Sequence, residues 1–124
     1  GTLIFDEIDQ GIGGRVGATV GEKLWGLAGS GDGVSSERQV LCVTHLPQLA
    51  GFGDRHLCVE KGIERVDGRE RTVTRVRALD DEDRIVELAK MLGGPEDAAR
   101  RSAEAILRQV AEQKQGRKAQ DASG

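Results

Sequence analysis

A chain of 124 residues, 37% hydrophobic and 31% charged, has the size and composition of one ordinary domain or part of one. Its formal charge of -3 argues against a dedicated nucleic-acid module, which would carry an excess of Lys and Arg, so any DNA contact must be local or lie elsewhere. No apolar run approaches the ~18 residues of a membrane span, and the two cysteines, Cys42 and Cys58, sit in apolar runs where they read as reduced, buried small hydrophobes of a cytoplasmic protein.

In chain order, Thr2 to Phe5 reads as a buried strand that stops abruptly on Asp6, Glu7 and Asp9. Open α/β sheets bind ligands at the C-terminal ends of their strands, so these carboxylates are placed for chemistry. A chain that begins on a core strand also reads as the C-terminal piece of something longer. Val16, Val20, Leu24 and Leu27 then recur at helical spacing and predict a helix over 14–28. Its glycines would each weaken an isolated helix by up to ~1 kcal/mol, so close backbone approach must justify them. The stretch GSGDGVSSE is a loop by composition and lacks the Lys-Ser/Thr ending of a P-loop.

Gln39 to Thr44 is a second buried strand, and the strand-helix-strand order implies parallel neighbours joined by a right-handed crossover. Thr44 and His45 should therefore share a sheet edge with Asp6 and Glu7. Leu46 to Ala50 reads as a short helix with Pro47 in its first turn, stopped by Gly51 and Gly53. HLCVEK is a third strand, and the following stretch a hairpin turning at Asp67-Gly68. Arg71, Arg75 and Arg77 fall on one face of that hairpin; with Glu60, Glu64 and Glu70 nearby this is a solvated face. Asp80 to Asp83 opens a helix with the stripe Ile85, Leu88, Ala89 and Leu92, closed by Gly93-Gly94. After Pro95 a second amphipathic helix carries Ala99, Ala103, Ile106, Leu107 and Val110 to about Gln113, leaving 114–124 as a disordered tail.

The chemistry follows from residue type. Magnesium takes hard oxygen ligands and keeps several waters, which suits Asp6. A neighbouring carboxylate, Glu7, can orient or deprotonate a water attacking a γ-phosphate. Successive strand residues point to opposite sides, so the adjacent pair can divide the two tasks. His45, one strand away, could hydrogen-bond the same phosphate.

These residues also carry a resemblance. TLIFDEID resembles the Walker B segment of ABC-type ATPases, QGIGG stands in the place of their D-loop, and QVLCVTHLPQLAGFGDRH is similar to their switch-histidine segment. The combination DEIDQGIGGRVG, VLCVTHLPQLAGFGD and ELAKMLGG, from residue 2 to about 108, resembles the C-terminal part of the RecN family, bacterial SMC-like DNA repair ATPases. The resemblance implies an α/β fold: the C-terminal part of a P-loop NTPase head of ABC/SMC type, with parallel strands and a crossover helix, then a hairpin and two helices. It implies ATP and Mg2+ as cofactors, Asp6 as magnesium ligand, and Glu7 and His45 as catalytic carboxylate and switch histidine. It further implies a homodimer of ATPase heads in which the D-loop residues Asp9, Gly11, Gly13 and Gly14 cross to the opposite nucleotide. Small residues there permit close backbone approach. The implied role is DNA double-strand break repair and recombination in the cytoplasm, at the nucleoid. RecN-like D-loops often carry serine where Gly13 stands, a departure that removes a side-chain hydrogen bond.

The chain has no GxxxxGK[ST], glutamine loop, LSGG-type signature or coiled coil. Residues 1–113 thus read as a lobe with the hydrolytic half of a site and without the half that grips nucleotide, and the isolated segment is expected to bind ATP weakly or not at all. Two rival enzymes fit less well. One is another SMC-like or ABC-transporter head, of which a transporter would more typically show DEP where Ile8-Asp9 follows the acidic pair; the other is a metal-dependent nuclease using Asp6, Glu7 and Asp9, which would draw more ligands than His45 and Asp54 nearby. GIGGRVG does not give the G-x-G-x-x-G of a dinucleotide binder. A non-enzymatic module with capping carboxylates leaves His45 unexplained.

Overall fold

The computed structural model describes residues 1–6, 13–28 and 38–123. Strand β1 (Thr2–Asp6) pairs in parallel with β2 (Gln39–Val43), and helix α1 (Gly14–Leu27) lies between them in sequence. The short helix α2 (Pro47–Ala50) follows β2, with proline in its first turn as expected. A hairpin of β3 (Leu57–Val66) and β4 (Arg69–Ala78) makes a second, antiparallel sheet, and α3 (Asp81–Leu92) and α4 (Glu96–Ser123) close the chain.

The local chemistry explains most boundaries. Asp67 and Gly68 have φ of 54° and 76°, the left-handed pair that a two-residue hairpin turn demands. Asp80 caps α3: its carboxylate accepts the Asp83 backbone N–H at 2.7 Å, and Asp81, Glu82 and Asp83 complement the helix dipole. Gly93 and Gly94, at φ 74° and 82°, end it.

The core lies among the helices. Trp25 of α1, Phe52 after α2 and Val110 of α4 form one buried cluster, flanked by Ala18 and Ile106. Leu88 of α3 is fully buried, and Ala99 and Ala103 of α4 are buried as well. Arg100 ties the last two helices through Glu82 at 2.6 Å.

Several expectations need correction. The helical stripe Val16, Val20, Leu24 and Leu27 is not the packing face of α1, because Val16 and Leu27 are exposed. The helix instead packs along Gly17, Gly21, Leu24 and Trp25, all buried, where the missing side chains of two glycines admit Leu46 and Phe52. HLCVEK is not separate from the hairpin, since Gly62 sits within a single ten-residue strand. Helix α4 runs to Ser123 rather than ending near Gln113; Lys, Gln, Arg and Ala are good helix formers, and Lys114 is anchored on Asp54.

The strands expected to be buried are largely exposed. In β1 and β2, Ile4, Leu41 and Val43 share one sheet face by register and are 70%, 43% and 57% exposed, because no layer covers that face among the described residues. Cys42, on the opposite face beside Phe5, is exposed as well, and neither it nor the half-buried Cys58 is in a disulfide. The hairpin repeats the pattern. Its one face carries Glu60, Glu64, Arg75 and Arg77, with Arg75 paired to Glu64 and Arg77 to Glu60 and Asp83, so the expected solvated face is present. Its other face carries Leu57, Val59, Ile63 and Val76, all exposed. Accessible surface totals 8775 Å², against roughly 6,500 Å² for a compact chain of this mass.

Candidate functional site

The parallel register builds the candidate site. Asp6, the last residue of β1, is the partner of Val43, the last residue of β2, so Thr44 and His45 leave the sheet at the edge where Asp6 stands. Asp6 and His45 are both exposed there. Thr44 shapes the exit: its Oγ1 accepts the Leu46 backbone N–H at 3.0 Å, turning the chain immediately after His45 into α2. The Leu46 carbonyl then accepts from Leu49 and Ala50, at 3.1 and 3.0 Å.

Gly13 caps the start of α1 in an extended conformation, and Gly14 is its first helical residue. The Gly17 N–H donates to the Gly13 carbonyl at 2.9 Å. Glu7, Asp9 and Gly11 lie outside the described residues, as does the loop expected over 29–37. The structure thus brings Asp6 and His45 to one edge and places Gly13 and Gly14 at the head of the helix that packs on α2.

Two groups behind this edge were not singled out from sequence as supports. Arg84 of α3 donates through Nη2 to the carbonyls of Gly51 and Gly53, at 3.3 and 2.9 Å, and its burial pushes the guanidinium below its ordinary pKa against the opposing pull of Asp81 and Asp54. Asp54, weighed as a metal ligand, is engaged elsewhere: its Oδ1 accepts Trp25 Nε1–H at 3.2 Å and Lys114 Nζ at 3.1 Å, and Lys114 stands 5.4 Å over the Trp25 ring. The one sequence signal for this packing was the Gly17 and Gly21 spacing of four, which lines small residues along a helix face.

Among the described residues no group of three or more His, Cys, Asp or Glu is arranged to hold a metal. Asp6, an exposed carboxylate at the strand end, could offer a hard oxygen to a divalent cation such as magnesium.

A parallel strand pair ending on an acidic residue, with the second strand leading into a histidine and a short helix, belongs to an α/β fold of the kind found in SMC ATPases. A solved SMC ATPase, described for ATP-driven dimerization and DNA-stimulated activation, matches with a TM-score of 0.50 over 76% of this chain and 49% of that one, at 18% identity, which establishes the fold. The chain is similar to RecN proteins over most of its own length. It is 40% identical over 111 residues to the DNA repair protein RecN of Bacillus subtilis, covering 88% of this chain and 17% of that protein. RecN of Streptomyces coelicolor is 46% identical over 110 residues, 86% of this chain and 17% of its own length. RecN of Treponema pallidum is 41% identical over 118 residues, 94% of this chain and 19% of its length. The chain therefore spans less than a fifth of these relatives. No protein-family model matches it.

Proposed function

We propose that residues 1–113 are the C-terminal lobe of the ATPase head of an SMC-like DNA repair protein, acting in double-strand break repair and recombination as a homodimer of heads. The observation that carries this reading is the pairing of Asp6 with Val43, which sets the strand-end carboxylate and His45 at one sheet edge. The relatives are DNA repair proteins, and the SMC neighbour is described for ATP-driven dimerization and DNA stimulation. The same reading gives a cytoplasmic, nucleoid-associated protein; no helix among the described residues is long and apolar enough to cross a membrane.

In this reading Asp6 holds magnesium, directly or through water, and the ion when bound neutralises charge on the phosphates. Glu7, next in sequence, orients and deprotonates the attacking water. His45 hydrogen-bonds the γ-phosphate. Asp9, Gly11, Gly13 and Gly14 approach the nucleotide held by the partner head. The isolated segment, without a phosphate-gripping loop, turns over no ATP.

The test is DNA-stimulated ATP hydrolysis by the full-length protein with Glu7→Gln. Turnover falls ~10²–10⁴-fold while ATP binding and head dimerisation persist. Unchanged turnover would overturn the assignment, and manganese-dependent nicking of DNA without ATP would put the nuclease in its place.

A further inference from the structure

The tightest glycine contact in the described structure lies between the two halves of the candidate site. Gly17 is buried one helical turn after Gly13 and Gly14, and a Cβ added to it would overlap Leu46 Cδ2 and stand 3.2 Å from Leu46 Cγ and 3.8 Å from Gln48 Cβ. Leu46 is the residue directly after His45. Its N–H is held by Thr44 Oγ1 and its carbonyl by Leu49 and Ala50, so the backbone around it is fixed on both sides. Five and seven residues further on, the carbonyls of Gly51 and Gly53 are held by Arg84. The segment 44–53 is thus one braced piece, and it bears on α1 through the Leu46 side chain lodged at Gly17.

We infer that the seat of Leu46 at Gly17 couples the D-loop end of α1 to the segment that carries His45, making Gly17 and Leu46 positioning residues for ATP hydrolysis. The inference rests on the function proposed above. A partner head that presses on the D-loop shifts the first turn of α1, and a close-packed contact passes that shift to Leu46 rather than absorbing it. His45, one peptide bond away, moves with it. The contact therefore lets the arrival of a second head set the histidine of the same chain.

The experiment compares wild type, Gly17→Ala, Leu46→Ala, the double variant and Glu7→Gln in the full-length protein, measuring kcat and KM for ATP well below each variant's Tm. Alanine favours the helix at position 17, so Gly17→Ala keeps α1 while crowding Leu46. A misplacement on the order of 1 Å can cost up to about a hundredfold; the expected result is a fall in kcat of at least about tenfold at nearly constant KM. Leu46→Ala in the Gly17→Ala background removes the obstruction and restores most of kcat. An unchanged kcat in Gly17→Ala would mean that Leu46 swings aside without moving His45, and would overturn the coupling. A loss that the double variant does not recover, or one that follows the folded fraction, would overturn it equally. Glu7→Gln and wild type separate the two readings: full turnover in Glu7→Gln removes Glu7 from the catalytic machinery, and no turnover in wild type removes the ATPase reading itself, whereas the coupling fails only on the Gly17 and Leu46 variants.

Discussion

Arg84 Nη2 donates to the Gly53 carbonyl at 2.9 Å, joining α3 to the turn that follows α2. The same nitrogen serves Gly51 at 3.3 Å, so one guanidinium satisfies two carbonyls at the end of a four-residue helix. Arg84→Met removes both donors at a partly buried position. Hydrogen bonds to charged groups contribute about 1.5–3 kcal/mol, and exposure of part of the side chain places the loss near the lower figure. Urea unfolding of the 124-residue chain should show a fall of about 1.5 kcal/mol, and Arg84→Lys should recover part of it.

Gly21 faces Phe52, and an added Cβ would stand 2.5 Å from Phe52 Cδ2 and 3.0 Å from Cγ. Overpacking costs about 1–3 kcal/mol, offset by up to about 1 kcal/mol of helix propensity. Gly21→Ala should therefore destabilise by about 1 kcal/mol in denaturant titration, and Gly21→Val by clearly more. Gly62, whose Cβ would meet open space, is the control: Gly62→Ala should be neutral or slightly stabilising.

Lys114 lies over the chain's single tryptophan while pairing with Asp54. Asp54 is well exposed, which screens the ion pair and limits its worth to within about 1 kcal/mol. Lys114→Met should accordingly shift the emission of Trp25 with a small loss in Tm. Unchanged emission would show that the lysine does not rest on the ring in solution.

His56 has its pKa lowered from 6.5, first by burial and then by the Arg84 charge, with Glu87 opposing. The unfolded chain thus binds a proton more readily than the folded one, and stability present above pH 6.5 is lost as pH falls through the lower folded value. Stability measured from pH 7.5 downward should decline below 6.5. His56→Asn should remove that share of the slope and leave the carboxylate share at lower pH.

Where local chemistry decides, the fold was legible. Asp67-Gly68 announced the hairpin turn, Asp80 the start of α3, and the order of strand, helix and strand the parallel pair. The strand-end position of Asp6 and the exit through Thr44 to His45 followed from the same reading. Long-range packing was not legible. Asp54 meets Trp25 across 29 residues and Lys114 across 60, and no periodicity encodes such contacts. The packing face of α1 was missed because glycine enters hydropathy as nothing, whereas at Gly17 and Gly21 its worth is the space it leaves. Burial of β1, β2 and Cys42 was misjudged because apolar composition says that a face wants cover without saying that cover is present in these residues.

The bare aliphatic faces of β1, β2 and the hairpin have a thermal consequence. Val59, Ile63, Val76 and Ile4 are already hydrated in the folded chain, so unfolding adds little new apolar hydration at those positions. The heat-capacity increment should fall short of the roughly 1.5–1.9 kcal/mol/K usual for a chain of this length, giving a broad, flat stability curve. Whatever layer settles on these faces takes up the missing increment at its own docking step. Cooling would then loosen that docking while leaving the segment's own fold almost untouched.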